Sequence, residues 1–216
     1  MRVPAFPRWA NNTRTIGGVL LGIAPIYLVV LVWYTFSPST TDIGYAPKQP
    51  VPYSHAMHAG ELGIDCRYCH TTVNDSSFSA IPTVDMCMNC HARVRNETPK
   101  TAPLIEAAKT GQALRWKKVH DLPDYSFFNH SAHVNKGVGC VTCHGRVDTM
   151  EVVYQAKTLS MGWCLDCHRN PDANLRPLNE VTNMGWQPPQ DAAAYGAKLR
   201  AEHDVNPQTD CSTCHR

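Results

Sequence analysis

A fold of short helices and loops wrapped around clustered prosthetic groups, preceded by one transmembrane helix, is what this 216-residue chain predicts. Three observations carry that expectation. Cys-x-x-Cys-His recurs five times, at Cys66–His70, Cys87–His91, Cys140–His144, Cys164–His168 and Cys211–His215, and consumes all ten cysteines. A long uncharged run lies near the N-terminus. The remainder has only modest apolar content, with 8% aromatic residues in the whole chain, which is poor material for a protein-only core.

Each Cys-x-x-Cys-His is a covalent haem attachment site. Two thiols three residues apart can reach the two vinyl groups of one haem as thioethers, and the next residue, a histidine, then lies under the iron. Cys66, Cys69, Cys87, Cys90, Cys140, Cys143, Cys164, Cys167, Cys211 and Cys214 are therefore the candidate attachment residues, with His70, His91, His144, His168 and His215 as proximal ligands. A structural zinc site pairs two CxxC halves; five motifs leave one over, and zinc gives no reason for a histidine after every pair. Redox dithiols use a lone CxxC and leave the trailing histidine equally unexplained. The fold class is thus a multihaem cytochrome c carrying five covalently bound haem c groups, with little regular structure.

Residues 1–14 carry Arg2, Arg8 and Arg14 and no acidic residue, and read as a cytoplasmic basic N-terminus. Residues 15–36 are uncharged and long enough to cross a bilayer as a helix. Trp33 and Tyr34 stand at its far end, where amphipathic aromatics favour the interface, and the arginines place the N-terminus inside. A cleaved signal peptide also begins basic and apolar, but this run exceeds a usual signal core and no A-x-A site follows it. The expectation is a retained single-pass anchor in the cytoplasmic membrane with the haem domain on the periplasmic side, where thioether maturation takes place. Residues 37–54, with Pro38, Pro47, Pro50 and Pro52, read as an extended linker, and residues 55–216 as the pentahaem domain.

Three of the 20 lysines and arginines lie in the first 36 residues, leaving 17 against 18 acidic side chains in residues 37–216. No basic stripe points to nucleic acid. That portion offers roughly 36 residues per motif, too few to wrap each haem separately, so the haems must pack together and their faces supply apolar surface. Close redox centres make an electron wire. Elsewhere, Pro103 to Trp116 and Gln190 to His203 read as helices, the first weakened by Gly111, and Arg146 to Leu159 could hold short strands.

An internal repeat organises the haem domain. His55-Ala-Met-His58 precedes the motifs at Cys66 and Cys87, and His130-Ser-Ala-His133 precedes those at Cys140 and Cys164. Low-spin haems in electron-transfer proteins take a second axial ligand, commonly His or Met. Eleven histidines less five proximal ones leave His55, His58, His120, His130, His133 and His203. An i,i+3 pair on one helical turn places both imidazoles on one face, so each HxxH can address two neighbouring irons. His120 is preferred for the haem at His215, with His203 and the methionines Met150, Met161 and Met184 as rivals.

This arrangement resembles the small cytochromes of the c3 and c7 type. The resemblance implies that His55 serves the haem at His70, His58 that at His91, His130 that at His144 and His133 that at His168. On a larger scale the N-terminal anchor, HAMH at 55–58, VHDLPDYSFFNHSAH at 119–133, MGWCLDCHRNP at 161–171 and CSTCHR at 211–216 are similar to the membrane-anchored pentahaem cytochrome c subunit of alternative complex III, a bacterial quinol:electron-acceptor oxidoreductase. That resemblance implies partners: integral-membrane quinol-binding subunits, an iron–sulfur subunit resembling molybdopterin oxidoreductases, and a monohaem cytochrome c or other periplasmic acceptor. It also implies a chain with no catalytic site of its own. Two other classes share some features. A self-sufficient quinol dehydrogenase of the NapC/NrfH type is also anchored and multihaem, but fits the paired HxxH modules less well. A catalytic multihaem enzyme of nitrogen compounds needs an open iron, whereas six spare histidines here can cap five.

Overall fold

The computed structural model describes residues 7–36, 42–189 and 191–216. Arg2, the Ser37-Pro38-Ser39-Thr40 start of the linker and Gln190 lie outside the described residues. The chain divides into two compact units, Met1–Asp42 and Ile43–Arg216.

In the first unit a 3-10 turn, Arg8–Asn12, leads into helix α1, Thr13–Thr35. Its 23 residues give roughly 34 Å of helix, long and apolar enough to cross a membrane. Pro25 lies inside it, and none of its side chains is buried within the chain. Every large apolar side chain on it therefore faces outward, which in water would be untenable and in lipid is favourable.

In the second unit the Cys-x-x-Cys-His motifs themselves lie on helices. They are α2 Cys66–Cys69, α3 Val84–His91, α6 Cys140–His144, α7 Met161–Arg169 and α9 Cys211–Cys214, with α4 Ala102–Thr110, α5 His130–Val134 and α8 Ala192–Glu202 between them. Such short helices are marginal alone, and local chemistry starts most of them. Asp65 accepts from the Arg67 N–H at the head of α2, Thr83 from Met86 at α3, Asn129 from Ala132 at α5 and Ser160 from Trp163 at α7. Each satisfies one of the unpaired N–H groups of a first turn. Helix α4 stops at Gly111, whose φ of 70° is the left-handed conformation that glycine adopts without penalty.

The core is thin. Val51, Leu104, Ala107, Met150, Leu175, Val181 and Leu199 are its buried apolar side chains, and none of the described residues has a side chain of less than 2% exposure. Two packing contacts tie distant segments together. The π-helical turn Ala56–Glu61 packs on the 3-10 turn Val147–Thr149, and α8 packs on the 3-10 turn Asp172–Asn174. The stretch Arg146 to Leu159 holds that 3-10 turn, bends and irregular backbone instead of strands; among the described residues the sheet-like pairing is a single bridge, Val138 to Leu175.

Candidate functional site: histidine pairs beside the cysteine helices

The two HxxH turns are built alike. Tyr53, two residues before His55, meets that ring edge-on at 4.7 Å and stacks on His58 at 4.4 Å. Phe128, two residues before His130, meets it edge-on at 4.8 Å and stacks on His133 at 4.6 Å. The carbonyl between aromatic and histidine, Ser54 O or Asn129 O, accepts from Nδ1 of the second histidine at 2.8 Å in both. One aromatic thus clamps two imidazoles per module, contributing about 0.5–1.5 kcal/mol per ring pair beyond buried area.

The clamped imidazoles face those of the cysteine motifs. His58 and His91 have centroids 6.2 Å apart, His130 and His144 6.4 Å, and His133 and His168 6.0 Å. Two metal–nitrogen bonds of about 2 Å plus the half-widths of two imidazoles give about 6.4 Å. The pairs are therefore spaced as opposed ligands of one metal ion. His55 lies within electrostatic reach of His70, and burial, then His70 and His58, push its pKa down to about 4. His144 is pushed down to about 3 by burial and by His120, His130, His70 and His55; burial lowers His133 as well. Such histidines stay neutral at physiological pH, the form that binds metal.

A carbonyl only accepts, so each imidazole bonded to one carries its hydrogen on Nδ1 and turns a bare Nε2 the other way. His70 bonds Ala80 O, His91 Val94 O, His168 Gln208 O and His215 Tyr125 O among the proximal candidates. His58, His130, His133 and His203 bond Ser54 O, Ser77 O, Asn129 O and Lys136 O. A second-shell bond of this kind sets tautomer and ring orientation in metal sites.

His120 lies beside the third motif. Its ring touches His144 edge-on at 4.4 Å, and its buried Nε2 has no partner; the ring beside His215 is Tyr125, at 5.9 Å. Among the described residues His120 and His215 make no ring contact. Met150 is buried, whereas Met161 is 66% exposed at the start of α7.

None of the ten cysteines is joined in a disulfide. No group of three or more His, Cys, Asp or Glu converges on a point among the described residues. Donors come in imidazole pairs rather than convergent sets, which fits an iron carried in a porphyrin and fits a protein-ligated zinc poorly. Exposed apolar side chains near the motifs, including Tyr68, Phe78, Ile81, Val94 and Phe127, suit the faces and edges of such a macrocycle. Arg176 was not singled out from the sequence. It is buried, donates from Nη1 to Asn183 O at 2.8 Å, lies 5.0 Å over Trp186 and leaves Nε unpartnered near Cys140; a buried N–H of this kind is suited to a haem propionate.

Comparison with known proteins agrees with the two-module organisation. Residues 35–115 match the family model of class III cytochrome c, and residues 126–216 that of cytochrome c7 and related cytochrome c. The multihaem cytochrome c subunit of menaquinone reductase from Nitratidesulfovibrio vulgaris is 28% identical over 176 residues, covering 69% of this chain and 82% of that protein. The histidine pairs, the cysteine helices and the two matched regions together make the fold that of a multihaem cytochrome c, helical and without strands among the described residues.

Proposed function

We propose that this chain is the pentahaem electron-transfer subunit of a membrane complex that oxidises quinol, of the alternative complex III kind. The observation that carries the reading is the set of imidazole pairs at 6.0–6.4 Å. The haem supplies a one-electron iron couple; the chain's own residues hold and orient it. Thioethers from the ten motif cysteines fix five haems. His70, His91, His144, His168 and His215 would each hold an iron, and His55, His58, His130 and His133 would supply the second imidazole for the first four. For His215 the opposite position falls to His120 or His203: His203 has the anchored Nδ1 and bare Nε2 of the other candidates, while His120 is engaged at His144.

In this reading residues 15–36 are a retained anchor with a cytoplasmic N-terminus, residues 37–54 a linker and residues 55–216 a periplasmic domain. Quinol oxidation needs an apolar pocket and groups that take protons. The 15–36 segment has no carboxylate and no histidine, so integral-membrane partners supply that site. An iron–sulfur subunit and a monohaem cytochrome or similar acceptor complete the route.

A second reading reverses the flow. The relative from Nitratidesulfovibrio vulgaris belongs to a menaquinone reductase, which favours electrons passing from a periplasmic donor toward the quinone. The test uses the complex that co-purifies with the full chain. Rapid haem reduction on adding menaquinol, with transfer to a soluble cytochrome, supports the first reading; quinone reduction driven by a reduced cytochrome, without the converse, supports the second. Rapid quinol oxidation by the purified chain alone defeats both, and fewer than five haems in a pyridine haemochrome assay of matured protein removes the pentahaem count.

A further inference from the structure

The five motifs are joined in space by a chain of short contacts, and their order is not that of the sequence. Asn89, inside the second motif, donates to the Tyr68 hydroxyl, inside the first, at 3.3 Å. The first and third motifs share the segment Val181-Thr182. Cys140 N donates to Val181 O at 3.1 Å, and Thr182 donates from its hydroxyl to Asp65, at the head of the first motif, at 2.8 Å. Thr182 O also lies 4.0 Å from the Cys66 Sγ.

The third and fourth motifs share Asn174. Its carbonyl accepts from Gly139 N, next to Cys140, at 3.3 Å, and its amide donates to Cys167 Sγ at 3.5 Å. The fourth and fifth are joined where His168 Nδ1 donates to Gln208 O, three residues before Cys211, at 2.7 Å. Among the described residues no hydrogen bond joins α3 to α6.

The loop after the first motif confirms the side on which it meets the second module. Ala80 O accepts from His70, Ser77 O from His130, and Ser76 O from Ser131 N. His70 and His130 are thus held by one loop. The first HxxH turn, in contrast, reaches the second motif through His58.

Resting on the reading of all five motifs as haem sites, we infer that they lie in the spatial order second, first, third, fourth, fifth, so that the ends of the array are Cys87–His91 and Cys211–His215. The first motif, nearest α1 in sequence, is then an interior station. A one-electron donor that is oxidised at one end and a one-electron acceptor that is reduced at the other would meet the second and fifth motifs, and the attachment site at Cys66 and Cys69 joins them.

The order can be tested without partners or turnover. Adjacent haems alter each other's reduction potentials by through-space interaction, which falls off with distance. Variants of the full anchored chain, Cys87→Ser/Cys90→Ser and Cys66→Ser/Cys69→Ser, each lacking one haem, are titrated potentiometrically. Loss of the second motif's haem should displace one of the four remaining redox steps, and loss of the first motif's haem should displace two. The sequence order demands the reverse, and that result overturns the inference.

Should either variant fail to mature, the fully reduced wild-type chain gives the same information by nuclear Overhauser contacts between haem substituents, each haem being assigned through its own Cys-x-x-Cys-His protons. Contacts from the second motif's haem to the first alone support the order; a contact from the second to the third refutes it. A haem count below five would instead strike at the pentahaem reading, and is measured separately.

Discussion

Gly60 should be irreplaceable for a reason that is steric and not conformational. It sits on the π-helical turn Ala56–Glu61, two residues after His58, and its missing side chain faces the backbone carbonyl of Asp148. A Cβ built there would fall closer to Asp148 O than real Cβ atoms come to any neighbour, and 3.4 Å from Asp148 C. The obstruction is backbone, so no rotamer change relieves it. An ordinary carbon–oxygen separation of about 3.3 Å requires the two turns to part by about 1 Å. At the other end the same turn is pinned by Ala56 N donating to Met150 O at 3.0 Å, so separation must tilt it. Overpacking costs about 1–3 kcal/mol, offset by about 0.5–1 kcal/mol that alanine gains over glycine in a helix, leaving a net loss of about 1–2 kcal/mol. For a chain of this size that lowers Tm by roughly 2–8 °C. A tilt of this size also withdraws His58 from its place opposite His91, so Gly60→Ala should convert part of one haem's signal from low to high spin. Thermal unfolding followed by circular dichroism and low-temperature electron paramagnetic resonance read the two effects. Gly162→Ala is the control, because a Cβ at Gly162 meets nothing within 4 Å. If Gly60→Ala matches that control in both Tm and spin state, the packing argument is wrong.

Other expectations follow from the same geometry. His130→Met and His133→Met should each alter the spectrum of a different haem, because the rings face His144 and His168 separately; unchanged resonance spectra in both would sink the assignment of the second module. Phe128→Leu removes an edge contact and a stack at once, and should cost about 1–3 kcal/mol while broadening the resonances of two haems; broadening of none would show that the aromatic ring does not orient the imidazoles. Asp65 has its pKa lowered from 3.8 to about 2, chiefly by the hydrogen bond from Arg67. A depressed carboxyl contributes stability above about pH 4 and loses it as pH falls toward 2. The group is 43% exposed, so solvent screening holds this contribution to about 1 kcal/mol or less. Asp65→Ala also removes the cap of α2, about 1 kcal/mol. The variant should show a reduced Tm at pH 6, and a smaller difference from the parent at pH 3; an equal difference at both values would remove the carboxylate from the account.

The parts of this site legible in sequence are those whose chemistry is local. A Cys-x-x-Cys-His pentapeptide contains its own thiols and imidazole, and an HxxH carries its spacing with it. The helix expected over Pro103 to Trp116 forms as Ala102–Thr110 and stops where Gly111 allows the left-handed turn; that over Gln190 to His203 forms as Ala192–Glu202. Short strands are compatible with the composition of Arg146 to Leu159, yet a strand needs a partner. Here the backbone instead pairs with the linker, Gln155 N donating to Tyr45 O and Gly44 N to Gln155 O. The clamp of Tyr53 and Phe128 also has a local signature, because aromatic-x-His-x-x-His occurs in both modules. Nothing local marks Asn174, Thr182 or Gln208, whose roles consist of contacts with motifs distant in the chain, nor does spacing say that His120 lies against His144.

The carbonyl bonds at Nδ1 have a consequence for charge balance. Eight of the eleven histidines, His58, His70, His91, His130, His133, His168, His203 and His215, hold their one imidazole hydrogen on a backbone oxygen at 2.7–3.3 Å. With Nε2 committed to iron, such a ring has no site left on which to take up a proton when an electron arrives, and it gives one up only by breaking a bond to the main chain. On the five-haem reading, charge would then cross the array without a matching flow of hydrogen ions through these imidazoles. A quinol releases both particles together. In the proposed reading the protons of a quinol would part from its electrons before the first haem is reached, and their release would fall to the subunit that holds the quinol rather than to the imidazoles of this chain.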